Sequence, residues 1–296
     1  KFNKILILRG GISDELEISR LSANHVYKAI KHLGDVSCID VTYDCKKLIS
    51  NILKIKPNII FNCLHGYFGE DGQVQSILNF LKIPYPHSGV LTSAILMNKV
   101  ISKQLFKSYG IETPNSITLP FSSKVNFPVI CKPINGGSSN GLSKINNHSE
   151  LKDFLKNNKE INNFMFEEYI PGRELTVGIL NNKICGIMEI KFYDELYDYK
   201  NKYINIAKHI INPKLPNDIK KRLCETSLLI HNSLNCNCIS RLDFRYNEIK
   251  KKIYLLEVNT QPGLTENSLL PEMAKNSGIS FLKLCKILMK NNICEI

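Results

Sequence analysis

Two short triplets near the end of the chain carry the strongest chemical signal. Arg241-Leu242-Asp243 falls in one apolar run, and Glu257-Val258-Asn259 closes another. Residues two apart on a strand share a face. If the two runs are neighbouring strands, Asp243, Glu257 and Asn259 converge, with Arg241 alongside. Such a set offers a cation only oxygen, which suits magnesium or manganese and not zinc. The alternative, a pair of edge strands with solvated acids, sits badly with Leu255, Leu256 and Val258, because unpaired acids in a buried strand are expensive.

A second signal lies upstream. Lys132 closes an apolar run and leads into Pro133-Ile134-Asn135-Gly136-Gly137-Ser138-Ser139-Asn140-Gly141. Glycines let backbone N–H groups approach phosphate oxygens, and the serines and lysine add donors. The G-K-[ST] order of a P-loop is absent, and a plain flexible hairpin is the alternative. Glu167, Glu168 and Glu174 place carboxylates at the end of one strand and the start of the next, where they could accept from ribose or an adenine amino group, or simply face water. The polar, tyrosine-rich segment 196–203 is too aromatic for a passive linker and reads as a lid. Three further residues have equally plain alternatives. Glu15 could be a helix-start acid favoured by the dipole, His65 a turn histidine, and Ser268 an N-cap.

These residues need a scaffold. Residues 4–8, 36–41 and 58–64 read as buried strands, with a helix running from the Gly10-Gly11 turn through Leu21 and Val26. Strand, helix, strand argues for a parallel sheet, which binds ligands at the carboxyl ends of its strands. A dehydrogenase on this unit lacks G-x-G-x-x-G, and Asp40 is the best candidate for its acid. One helix is expected over 93–109, closed by Gly110, with Met97, Ile101 and Leu105 on its apolar face and Lys99 away from it. Short strands follow at 129–132, 141–145, 164–169, 174–180 and 183–190, interrupted by a helix over 149–157 with Ser149 as its N-cap. Beyond them come a helix over 216–234, strands at 239–246 and 253–259, and helices after Ser268.

At 296 residues the chain can hold two domains or three small ones. Its net charge of +12 invites a nucleic-acid reading. The lysines are scattered, however, and the densest patch, Lys220-Lys221-Arg222, falls on the solvated face of a helix. A positive background serves an anionic substrate such as ATP equally well. The ten cysteines form no framework. Cys236 and Cys238 are the close pair, and without a CxxC or nearby histidine they read as reduced thiols. No stretch approaches a membrane span, and the N-terminal stretch lacks the apolar core of a signal peptide. The expectation is a cytoplasmic protein with no membrane or nucleic-acid partner.

Taken in order, the motifs resemble the D-alanine–D-alanine ligases of the ATP-grasp superfamily over nearly the whole chain. The resemblance rests on Gly10-Gly11 with Glu15, on residues 65–72 (HGYFGEDG), and on Ser88-Gly89 leading to Lys99. It continues through the Gly/Ser loop, residues 167–174 and 197–203, Arg241 to Asp243, and Glu257 to Ser268. It implies an α/β and α+β chain: an N-terminal parallel αβ, Rossmann-like domain over 1–92, then central (93–178) and C-terminal (179–296) ATP-grasp subdomains. By resemblance, Lys99, Lys132 and Ser139 hold ATP phosphates, with Lys202 reaching from the lid. Glu167 and Glu174 bind adenine and ribose, and the backbone near Glu168 and Ile170 reads the adenine edge. Asp243, Glu257 and Asn259 carry two Mg2+ ions, with Mn2+ as a substitute. Arg241 and the Gly263 N–H form an oxyanion site. Glu15 anchors the first D-alanine, His65 lines its subsite, and Ser268 with Leu269 takes the second. Ser138 and Tyr203 link with Glu15 across the closed site. The implied reaction joins two D-alanines through an acyl phosphate for peptidoglycan precursors, in a homodimer. A same-fold ligase using D-lactate or D-serine and a non-catalytic nucleotide-binding protein are the alternatives.

On this reading Glu257→Gln abolishes ATP turnover and leaves the fold intact. Phosphate release measured beside circular dichroism checks it, and wild-type-like turnover would overturn the metal assignment.

Overall fold

The computed structural model describes residues 3–118, 125–137, 141–191 and 207–294. The chain opens with β1 (Lys4–Gly10), α1 (Leu16–Ile30), β2 (Asp35–Val41), α2 (Cys45–Ile55), β3 (Ile59–Asn62) and α3 (Gln73–Phe80). The strands form a parallel sheet in the order β2-β1-β3. Ile5 to Leu8 and Ile59 to Phe61 are buried on both faces, as a parallel sheet covered by helices requires. Asp40, the acid a dinucleotide site would need, is instead ion-paired to Arg9 at 2.8 Å and Arg20 at 3.3 Å.

The long helix expected over 93–109 is two helices, α4 (Val90–Met97) and α5 (Lys99–Ser108). Asn98 breaks it: in an extended conformation, its side chain accepts from the Val100 and Ile101 N–H groups and caps α5. The break also turns the helix over. Ile101 is 45% exposed, whereas Lys99 and Lys103 are 7% and 2% exposed. The apolar spacing misled because the buried face of α5 carries Lys99 and Lys103 to a charged site, with Phe106 alone reaching the apolar core.

A four-stranded sheet follows in the order β4-β7-β5-β6, with β4 (Ser116–Ile117), β5 (Val129–Pro133), β6 (Ser143–Ile145) and β7 (Phe164–Glu168). Helix α6 (His148–Asn157) covers it. The cap of α6 is Asn147, which accepts from the Glu150 N–H, and not Ser149. Its Asx geometry sits where the extended chain turns into the helix.

The third sheet is antiparallel, ordered β10-β9-β8-β11-β12. It contains β8 (Arg173–Leu180), β9 (Lys183–Lys191), β10 (Lys208–Ile211), β11 (Ile239–Asn247) and β12 (Lys252–Asn259). Helix α7 (Asn217–Ser233) packs on one face. On the other, α8 (Leu269–Asn276) and α9 (Phe281–Lys290) are sandwiched between this sheet and the N-terminal one. One continuous core therefore joins Ile5, Ile7 and Val26 to Met188, Met273 and Leu288. All ten cysteines are free, and no helix among the described residues is long and apolar enough to cross a membrane.

Two buried histidines are held neutral. Burial pushes the pKa of His87 down from 6.5 to about 3, and that of His231 to about 4. His231 is bonded to Ser240 and Asn182, whereas among the described residues no side chain reaches either His87 ring nitrogen with hydrogen-bond geometry. A base whose pKa falls on folding is more readily protonated in the unfolded chain. The stability it contributes is therefore full above about pH 6.5 and is lost as pH falls toward 4 and then 3. The melting temperature is expected to fall by several degrees between pH 7 and pH 4. The fall should be smaller in His87→Asn, since asparagine does not titrate and tolerates the residue's φ of 78°. Equal acid slopes in the two proteins would rule this out.

Candidate active site

The antiparallel pairing of β11 with β12 places Asp243 opposite Glu257 and Arg241 opposite Asn259. The register shifts just after Asp243, so Leu256 is the extra residue of a bulge. Strand β12 is the edge of its sheet, yet its edge is not bare: the Leu255 N–H donates to the Glu112 carbonyl at 2.9 Å. Thr176, across from Asp243 on β8, donates its hydroxyl to Asp243 Oδ1 at 2.6 Å. Arg241 spans both Asp243 oxygens at 3.0 and 2.8 Å. The donor set fits a hard divalent cation: two carboxylates and an amide oxygen on one face, all-oxygen, with positions left for phosphate oxygens and water. Among the described residues, no group of three Asp, Glu, His or Cys side chains gathers as a metal site; this face offers two carboxylates and one amide.

Facing these strands is a buried cluster of lysines around one glutamate. Glu167 lies on β7, with Lys132 at 2.7 Å from the neighbouring β5 and Lys103 against its other oxygen from α5. Burial alone would raise the Glu167 carboxyl, but the two ammonium groups hold it below its ordinary value. Burial, with Lys132 nearby, pushes Lys103 down to about 8. Lys99, one turn before Lys103, is lowered by burial although Glu257 opposes this from 3.7 Å. Its ammonium donates to the Gly136 carbonyl at 2.5 Å, fastening the start of the Gly/Ser loop. Glu168 turns its carboxylate to the Asn115 N–H at 2.9 Å, leaving the backbone of 168–170 along the cleft. Glu174 is pushed up to about 7 by burial, with Arg245 at 3.5 Å only partly offsetting it.

The opposite wall comes from the N-terminal sheet. Glu15 stands at the start of α1 but makes no capping bond to it. Ser13 holds its turn in place, donating its hydroxyl to the His65 carbonyl at 2.6 Å and accepting from the Glu15 N–H at 3.3 Å. Gly66, at φ 68°, leaves room for the acid: a Cβ there would stand 3.1 Å from Glu15 Oε2. His65 is buried between Ser22 at 3.2 Å and Glu70 at 3.0 Å. Burial raises the Glu70 carboxyl despite this partner. Ser268 is the N-cap residue of α8, but its hydroxyl turns back to the Thr265 N–H at 3.0 Å. A Cβ on Gly263 would come within 2.9 Å of that hydroxyl.

All described residues of the expected site line one cleft of about 1040 Å³. They are Glu15, His65, Lys99, Lys132, Glu167, Glu168, Ile170, Glu174, Arg241, Asp243, Glu257, Asn259, Gly263, Ser268 and Leu269. Ser138, Ser139, Lys202 and Tyr203, with the rest of the expected lid, lie outside the described residues. Sequence reasoning missed Lys103, Thr176, Ser22 and the pair His209–Glu272, 2.7 Å apart at the cleft edge. Lys103 had a signal, its four-residue spacing from Lys99. The others gain their meaning from strand and helix neighbours far away in the chain.

Comparison with known proteins follows the same lines. Residues 97–290 match the family model described as D-ala D-ala ligase C-terminus. A D-alanine–D-alanine ligase from Wolbachia pipientis is 41% identical, the alignment covering 98% of this chain and 94% of that protein. The structure of a D-alanine–D-alanine ligase from Bacillus anthracis complexed with ATP superposes with a TM-score of 0.83 at 30% identity, over 98% of this chain and 97% of that one. A D-Ala:D-Ser ligase from Enterococcus faecalis gives 0.80 at 27% identity, over 98% and 99%.

The buried triad generates a stability prediction. Lys103→Met leaves Glu167 with a single cation and is expected to cost about 3 kcal/mol in urea unfolding. A loss below about 0.5 kcal/mol, the level of an exposed pair, would mean that Lys132 suffices alone.

Proposed function

The chain belongs to the D-alanine–D-alanine ligase family and has its ATP-grasp fold, and on that premise we propose that it joins two D-alanines with ATP, as a step toward peptidoglycan precursors. The observation that carries the reading is one of placement. The oxygen set of β11 and β12 and the lysines at 99 and 132 face the same cleft as Glu15 and Ser268.

In this reaction Glu15 anchors the ammonium of the first D-alanine, within a subsite lined by His65. Its carboxylate oxygen attacks the γ-phosphorus, the bond to ADP breaks, and an acyl phosphate forms. Lys99 and Lys132, with Ser139 and Lys202, hold the phosphate oxygens through this transfer. Ser268, at the start of α8, receives the carboxylate of the second D-alanine, where helix N–H groups favour an anion, and Leu269 lies beside it. The amine of that molecule, having lost its proton, attacks the acyl carbonyl. Arg241 and the Gly263 N–H stabilise the oxyanion, and the tetrahedral intermediate then releases phosphate. Asp243, Glu257 and Asn259 would hold Mg2+ or Mn2+, whose positive charge would neutralise the triphosphate and the charge developing during transfer. Adenine and ribose fall to Glu167, the backbone of 168–170, and Glu174. Ser138 and Tyr203 link to Glu15 when the lid closes.

The division into 1–92, 93–178 and 179–296 belongs to the same proposal. The three sheets support it in outline, with β8 joining the third sheet from Arg173 onward. Homodimeric assembly and a cytoplasmic place of action rest on the family resemblance.

The test is phosphate release from Mg-ATP with D-alanine, L-alanine, D-serine, D-lactate or no acceptor, products being identified by mass. Stimulation by D-alanine alone, with a dipeptide mass, is expected. Stimulation by D-serine or D-lactate would keep the chemistry and move the second subsite. No stimulation by any acceptor would leave a nucleotide-binding protein and sink the ligase reading.

A further inference from the structure

Strand β3 ends at Asn62, and the loop after β12 turns inward at Gln261, 199 residues later. Both side chains are 2% exposed and they meet in the core between the two sheets. Asn62 Nδ2 donates to Gln261 Oε1 at 3.1 Å and to the Gly69 carbonyl at 2.9 Å, while its Oδ1 accepts from the Leu64 N–H at 3.1 Å. Gln261 Nε2 donates to the Leu64 carbonyl. Gln75, from α3, donates to the same Gly69 carbonyl at 2.9 Å. On its other side, the Gln261 backbone N–H donates to Asn259 Oδ1 at 2.8 Å.

The two ends of this network lie in different halves of the cleft. Leu64 and Gly69 immediately precede His65 and Glu70, which line the wall shared with Glu15. Asn259 closes the oxygen set, and Gly263 follows Gln261 by two residues. A second thread runs parallel: the Leu264 N–H donates to Ser22 Oγ at 3.4 Å, and that hydroxyl contacts His65. An apolar side chain would fill position 261 as well as glutamine does. A buried carboxamide with both its oxygen and its nitrogen engaged instead fixes one relative position of two loops, and it is costly to leave half-satisfied.

We propose that Gln261 is a positioning residue for the ligation. Its carboxamide locks the loop bearing Gly263 to the end of β3, setting the oxyanion N–H against the first-substrate wall, while its backbone N–H separately holds Asn259 Oδ1. The inference rests on the function proposed above. Gln261 touches no substrate; its carboxamide acts through Leu64 and Asn62.

The test uses the full chain, Gln261→Met (similar length, no amide), Asn62→Leu and the double variant. Three quantities are measured: Mg-ATP affinity without D-alanine, backbone hydrogen exchange, and kcat and KM for D-alanine. Gln261→Met should lower kcat by about 10–100-fold, the usual cost of removing an orienting partner, with Mg-ATP affinity within about twofold because the backbone N–H that holds Asn259 remains. Exchange should accelerate in 260–265 and 63–70 and stay unchanged in 239–258. The double variant should be no slower than the worse single one, because both remove one bridge. An unchanged kcat, additive losses, or faster exchange throughout accompanied by weaker ATP binding would each overturn the proposal. If the wild type itself makes no dipeptide, it is the functional reading that fails. The exchange pattern then decides alone whether the bridge joins the two loops.

Discussion

The pairing of β11 with β12 is the constraint on which the site depends. Side chains alternate along a strand, so a slip of one residue would carry Glu257 and Asn259 to the opposite face and put Val258 in their place. The bulge after Asp243 lets the apolar pattern at Leu255 and the polar pattern at Glu257 and Asn259 both be satisfied on one strand. The neighbouring strand adds Thr176, whose hydroxyl fixes the orientation of Asp243. An oxygen set built on two paired strands in this way inherits the stiffness of the sheet.

Around that face the chain manages charge by pairing. Glu167 is almost wholly buried, and so are the two lysines that bracket it. An isolated ion there would be very expensive to desolvate. Together the three groups are tolerable, and they hold β5, β7 and α5 in one relative position beside the cleft. Lys99 lies one turn away on the same helix, reaching both Glu257 and the Gly136 carbonyl. A single helix face thereby connects Glu257 on β12 to the mouth of the Gly/Ser loop. Helix α5 can present that face because Asn98 ends the preceding helix and starts a new one.

The parallel and five-stranded sheets meet through one shared core, and the four-stranded sheet keeps its own. Helices α8 and α9 pack against both the parallel sheet and the face of the five-stranded one that carries Arg241 and Asp243, so Ser268 and Leu269 are placed relative to Glu15 by apolar contact, not by a flexible linker. Within that core, the amides of Asn62, Gln75 and Gln261 add direction to what is otherwise non-directional packing.

The sequence by itself determined most of the local structure. Its apolar runs specified nearly all the strands, and the period-two spacing of Arg241-Leu242-Asp243 and Glu257-Val258-Asn259 identified which residues share a face. The ordered motifs indicated the family and, through it, the residues that line the cleft. It did not determine which face of α5 is buried: a four-residue spacing of Met97, Ile101 and Leu105 looks the same whether the helix meets a core or a charged pocket. It also did not reveal Lys103 against Glu167, Thr176 against Asp243, or Gln261 against Asn62. Each of these contacts joins residues 64 or more positions apart. Local propensity acts over a few residues, whereas the partner of a buried polar group is fixed by how separate elements pack, and only the tertiary structure decides that.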